Sequence, residues 1–238
     1  LRINTDDTLQ FEDRDASGGT SDGRRQTSTK LRDTSAWYHI MLVLDSTLGT
    51  EADRAKIYIN GTQAAISADR TISQNYSFSF FRSNAENYIG EGTNEGSQLD
   101  AYLAEVNFID GQQLDPSYFG FTDSQTGMWM PKRYEGTYGN NGFHLEFKDN
   151  SSTSALGKDT SGNGHNFTTN NFGVGTGINN DSVEDTPTNN WATLNPLHWN
   201  KLKGSGGTAN GADFTQANLR FVSPSNVTSP YKRSTGST

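Results

Sequence analysis

The chain has no cysteine. That excludes disulfides and thiolate metal sites, and with them the stapled scaffold of many small secreted animal modules. A bacterial or viral source fits better. No run of about 18 apolar residues exists, the length a helix needs to cross a bilayer. No segment carries the 3.6-residue periodicity of a long amphipathic helix. Apolar residues are scarce, 31% of 238. Much of the chain must therefore be loop, turn or thinly buried strand, with apolar material for one sizeable core. Positive charge is also short: 19 Lys and Arg against 27 Asp and Glu, a net charge of −8. Nucleic-acid phosphate and acidic membrane surfaces call for clustered Lys and Arg, so the balance argues against both. The same acidity suits divalent cations. The chain opens on Leu1-Arg2-Ile3-Asn4 without Met or a signal peptide, and a fragment of a longer polypeptide is expected.

What is present is a series of short strands. Trp37–Asp45 is the longest apolar run. It is short, rich in aromatic and branched residues, and bounded by polar turns, so a strand in the middle of a sheet, covered on both faces, is expected. Leu1–Asn4, Thr8–Glu12 and Gln26–Leu31 are expected as strands, with Asp13 to Arg25 as a Gly-rich loop. Ala55–Asn60 places Ile57 and Ile59 on one face, Asn60-Gly61 signals a tight hairpin turn, and Thr62–Ile66 returns antiparallel. Tyr76–Phe81 alternates aromatics with Ser, Tyr88-Ile89-Gly90 is a short strand, and Asp100–Ile109 is half-buried. Leu114-Asp115-Pro116-Ser117 fits one helical turn, with Asp115 as N-cap and Pro116 at the first helical position. Further on, Phe143–Phe147 points Phe143, Leu145 and Phe147 inward and His144 and Glu146 outward. Short strands with regular turn signals mean an all-β sandwich or barrel.

The stretch Trp37-Tyr38-His39-Ile40, the strand to Asp45 and Ile57-Tyr58-Ile59-Asn60-Gly61 resemble the middle of a laminin-G/concanavalin A-like jelly roll. Asp100–Phe108 with Leu114-Asp115-Pro116 resembles its closing strand and terminal turn. The resemblance implies an antiparallel jelly-roll β-sandwich over residues 1–120, with its opening strands missing. Residues 121–190 then form a Gly- and Asn-rich β extension on the sandwich or a neighbour. Residues 191–238 are β-poor, a linker and the start of a further β domain. The wider layout resembles bacteriophage virion proteins, through Trp129–Tyr134, Phe143–Phe147, Ser161–Gly164, Asp185–Asn189 and Thr193–Leu197. It implies a tail fibre or similar appendage on the virion surface, with host cell-surface glycan and other virion proteins as partners. Exposed strand edges and the extra Phe143–Phe147 strand suggest a homo-oligomer, which the phage resemblance by analogy makes a trimer. A structural spacer or decoration module of a virion, and a secreted adhesin on a bacterial surface, are the alternatives.

Three chemistries are open. Asp45, Glu51 and Asp53 crowd the loop after the central strand, and Asp159 and Asn163 belong to a Ser-Gly-Asn-Gly loop. Hard oxygen ligands from loops suit Ca²⁺. The resemblance adds the closing strand, where Ala104-Glu105 supplies one carboxylate in place of two. The competing reading is that these are turn carboxylates. Trp129, Tyr134 and Tyr138 form a candidate glycan platform, unless Trp129 packs against the sandwich beside Pro131. No enzyme is expected. A retaining glycosidase needs two carboxylates about 5 Å apart, and jelly-roll glycanases place theirs as Glu-x-Asp-x-(x)-Glu on one strand, a run this chain lacks. Glu91 and Glu95 flank a Gly-rich turn, and His39, His144, His165 and His198 lack metal-ligand spacing.

Overall fold

Asn60 and Gly61 both adopt positive φ, 49° and 74°, the geometry of a two-residue hairpin turn. Around that turn a computed structural model describes residues 1–14, 21–79, 86–92, 98–175, 180–183, 185–188, 213–215 and 220–222. Its strands are β1 Arg2–Ile3, β2 Thr8–Arg14, β3 Ser21–Lys30, β4 Ile40–Leu44, β5 Ala55–Ile59, β6 Thr62–Gln63 and β7 Ile66–Arg70. They continue as β8 Val106–Phe108, β9 Gly120–Thr122, β10 Trp129–Pro131, β11 Phe143–Leu145, β12 Asp213–Thr215 and β13 Arg220–Val222. Every named pairing is antiparallel. The one described α-helix is the single turn Thr153–Leu156. The fold is all-β, as expected. The expected segments at Phe80–Phe81, Glu95, Trp191–Leu197 and Pro224–Thr238 lie outside the described residues.

The chain divides into two compact units, Leu1–Asp100 with Asp110–Asn141, and Ala101–Ile109 with Gly142–Thr238. In the first, one sheet runs β1-β2-β3-β7 and another β4-β5-β6. Leu9 and Phe11 of β2 meet Ala55 and Ile57 of β5 in a core with Ala64 and Ile72. Side chains two residues apart on a strand share a face, and each large buried one contributes about 2 kcal/mol. Tyr76 and Phe78 pack on this core, with Phe78 edge-on to Phe11. The chain leaves β6 and joins the other sheet as β7, where Ser28 N–H donates to Ala65 O.

Several expectations are corrected. The apolar run Trp37–Asp45 forms a strand only over Ile40–Leu44, and β5, not β4, is the middle strand of its sheet. Only Val43 of β4 is buried; the rest are half-buried. His39 still extends the ladder, since its N–H donates to Asn60 Oδ1 and its carbonyl accepts from Asn60 N–H. Within the expected loop Asp13–Arg25, β2 runs on to Arg14 and β3 begins at Ser21. The return strand is shorter than Thr62–Ile66, and Tyr88-Ile89-Gly90 is not a strand. Asp100–Ile109 shrinks to Val106–Phe108, because Glu105 sits at φ 54° and breaks the extended backbone. Tyr102 and Leu103 are exposed. The helical turn is as expected: Pro116–Tyr118 is a 3₁₀ turn, and the Asp115 side chain accepts from Ser117 N–H at 2.8 Å.

The polar strand β3 holds because its buried groups are bonded. Thr27 is buried and accepts from Leu9 N–H. Arg25 is 2% exposed. Its Nη1 donates to Arg24 O and Arg70 O, both at 2.9 Å, and its Nη2 to Glu51 Oε1 at 2.7 Å. Burial alone would push the Glu51 carboxyl up, but Arg25, the Ile72 N–H and the Arg54 charge hold it below its usual range. Arg54, also buried, donates to Leu48 O, Gly49 O and Ile72 O. Removing one partner of a buried pair strands the other. Arg25→Met is therefore expected to lower unfolding free energy by about 3 kcal/mol, measured as the shift in urea midpoint. Arg25→Lys should recover only part, because an ammonium lacks the planar fork that reaches both carbonyls and the carboxylate.

Candidate functional site

The expected acidic loop is built around arginine. Asp45 Oδ1 accepts from Thr47 N–H and Thr47 Oγ1, a local turn bond. Asp53 pairs with Lys56 Nζ at 2.9 Å. Glu51 faces Arg25. Each carboxylate of the loop thus has a protein partner in place.

The aromatic candidates pack on one another and on backbone. The Trp129 indole lies over two glycines: a Cβ on Gly61 would come within 2.1 Å of the ring, and one on Gly120 within 2.5 Å. His39 lies against the same indole, centroids 5.4 Å apart. Burial lowers the His39 pKa. Tyr134 is buried, donates its hydroxyl to Thr137 O, and stacks on Phe119. Tyr138 is half-buried and edge-on to Tyr134. Of the three, Tyr134 is the most enclosed. The opposite face of the β9–β10 hairpin exposes Phe121 and Met130, cross-strand partners.

In the second unit β11 pairs with β8, and Phe143 stacks on Phe108 and meets Phe167 edge-on. All three β11 residues are buried, so the expected outward placement of His144 is wrong. Both faces of this strand are covered, and alternation predicts burial only where one face meets solvent. The imidazole is held on both sides: Nε2 lies 2.8 Å from Glu105 Oε2 and Nδ1 2.9 Å from Thr160 Oγ1. The Glu146 carboxylate is 4.0 Å from the same Nδ1, beyond hydrogen-bond length.

Asp159 closes this cluster. Oδ1 accepts from His144 N–H at 2.9 Å and Ser161 N–H at 2.8 Å; Oδ2 accepts from Ser161 Oγ and His165 N–H, both at 2.9 Å. Burial would raise the carboxyl, but these donors outweigh it and hold it at about 2. Gly162 and Gly164, at φ 97° and 79°, let the loop wrap round its own carboxylate. Asn163 donates its amide to Gly142 O.

Asp45 and Asp53 belong to one unit, and Glu105, Asp159 and Asn163 to the other. A carboxylate offers roughly four lone-pair sites, and those of Asp159 face four protein donors. Among the described residues no group of three or more His, Cys, Asp or Glu is placed to hold a metal ion. Sequence reasoning missed Arg25, Arg54 and the His144–Thr160 contact. Only an arginine inside an otherwise alternating strand hinted at the first.

Residues 1–116 match the family model described as the Concanavalin A-like lectin/glucanases superfamily. This part of the chain is a concanavalin A-like domain, and the match ends within the capped turn at Pro116. No curated protein and no solved structure matches the chain. Trp129, Tyr134, Tyr138, Asp159 and Asn163 all lie beyond the matched residues.

Two outcomes test these assignments. Gly120→Ala is expected to displace the indole and cost about 2 kcal/mol, with a changed near-ultraviolet circular dichroism spectrum. The Asp159 carboxyl is depressed from its unfolded value near 3.8 to about 2 in the folded chain. Its stabilisation is thus present above pH ~4 and lost as pH falls towards 2, up to about 2 kcal/mol in all. Asp159→Asn should flatten acid unfolding over that window.

Proposed function

We propose that the chain is a non-catalytic glycan-binding adhesion module on a virion surface, in a tail fibre or similar appendage that contributes to host attachment. The observation that carries the glycan reading is the concanavalin A-like match over residues 1–116, a superfamily of lectins and glucanases. The virion reading rests on the layout from Trp129 to Leu197. The non-catalytic reading is supported by how the carboxylates are used. Glu51 is bonded to Arg25, Asp13 accepts from Ser79 N–H, and Asp159 is enclosed by donors. A carboxylate engaged in this way is a poor proton shuttle or nucleophile, because its lone pairs are occupied.

The test is binding of the full chain to whole bacterial cells and to a glycan panel, with and without a calcium chelator. Saturable binding to the cells of one host is expected, competed by that host's surface glycan and without release of reducing sugar. Chelator should leave it unchanged, since the acidic side chains already have protein partners. Release of reducing sugar would overturn the non-catalytic reading. A folded chain that binds no cell and no glycan would point to a spacer.

A further inference from the structure

The segment after β11 and the start of the Asp159 loop frame a groove of about 370 Å³. Glu146, Phe147, Lys148, Asp149, Lys158 and Thr160 line it. None of these lies in the concanavalin A-like segment, and none is among the aromatic candidates. We propose that this groove is a saccharide-binding site. The proposal rests on the glycan-binding reading above and places a site outside residues 1–116.

The groove's chemistry favours a sugar over other small ligands. Lys148 and Lys158 are exposed ammonium donors. Asp149 is an acceptor whose Oδ1 is pinned by Ser151 N–H and Ser151 Oγ. Phe147, half-buried, supplies an apolar surface. Its φ of 54° is left-handed, a conformation a non-glycine residue adopts only when its surroundings hold it there. Thr160 is held from behind. The Glu105 carboxylate only accepts, so His144 Nε2 carries the proton facing it. Thr160 Oγ1 lies 2.9 Å from Nδ1 and 3.3 Å from His144 O, so this side chain is fixed against the buried strand. Thr160 is nonetheless exposed, so the positioned hydroxyl borders the groove. The ring behind it is 2% exposed, so the hydroxyl is preorganised by a buried group.

Donors, acceptors and one apolar surface around a pocket of this size suit a pyranose. Its hydroxyls both donate and accept, and its C–H face is apolar. A lone anion would be attracted by the lysines and repelled by Glu146 and Asp149. A wholly apolar ligand would strand those charges without water.

The full chain, isotopically labelled, is titrated with neutral gluco-, galacto- and manno-oligosaccharides and with inorganic phosphate, following backbone amides by NMR. One neutral oligosaccharide is expected to shift the amides of Phe147–Asp149 and Lys158–Thr160. Thr160→Val, and separately Lys148→Ala with Lys158→Ala, should weaken that binding at least tenfold with the urea midpoint of the lysine variant unchanged. Saccharide binding that leaves these amides unmoved and both variants unaffected overturns the groove and leaves the glycan reading standing. Shifts with phosphate but with no saccharide overturn the ligand class. Binding of no saccharide here, and of no glycan or cell in the preceding assay, overturns both.

Discussion

The first unit depends on a guanidinium buried where an apolar chain would place a leucine. Arg25 points inward from a strand of Ser, Asp, Gly, Gln and Thr. It joins β3 to the carbonyl of Arg70 at the end of β7 and to the turn carrying Glu51. Arg54 does the same for the loop ahead of β5, through three carbonyls. A chain with few apolar residues cannot cover all of its loop backbone with hydrocarbon, and an unpaired buried carbonyl is costly. Arginine carries five donors on one planar group, so a single side chain satisfies several such carbonyls. The acidity of the neighbouring loop belongs to this arrangement: Glu51 is the counter-charge of a buried cation.

The second unit solves the complementary problem with the opposite charge. Its Ser-Gly-Asn-Gly loop presents N–H groups inward, and Asp159 collects them together with the N–H of His144. The carboxylate orders the loop, and the loop carries Thr160 to the edge of a groove. The His144 ring, fixed between Glu105 and Thr160, links the strand pair to that edge. Buried charges hold the backbone, while Lys148, Lys158 and Thr160 stay exposed at the groove.

The concanavalin A-like segment and the aromatic layer after it play different parts. The match to residues 1–116 carries the two-sheet core and closes at the Asp115 cap. Beyond it, Trp129 is seated by Gly61 and Gly120, and Tyr134 is buried against Phe119 and Tyr138. These rings act first as packing, which makes them poor single-residue probes of binding. A variant at Trp129 would lose structure before it reported on a ligand. The groove residues are better probes because most of them are exposed.

The sequence by itself determined whatever a local signal could specify. Asn60-Gly61 turns because both residues tolerate positive φ. Asp115-Pro116 starts a helical turn because a carboxylate caps and a proline fits there. Leu9, Phe11, Ile57 and Ile59 are inward-facing because apolar residues two apart share a strand face. Tertiary structure alone decided that the polar stretch from Ser21 is a strand and that His144 is buried. It also decided that Asp159 faces N–H groups and that Glu105 ends β8. The physical reason is the same in each case. An apolar side chain is buried by its own hydration cost, which is written in its residue type. A polar one is buried only when partners from distant segments satisfy it. Arg25 meets Glu51 and Arg70, and His144 meets Glu105 and Thr160, and those partners come together only in the folded chain.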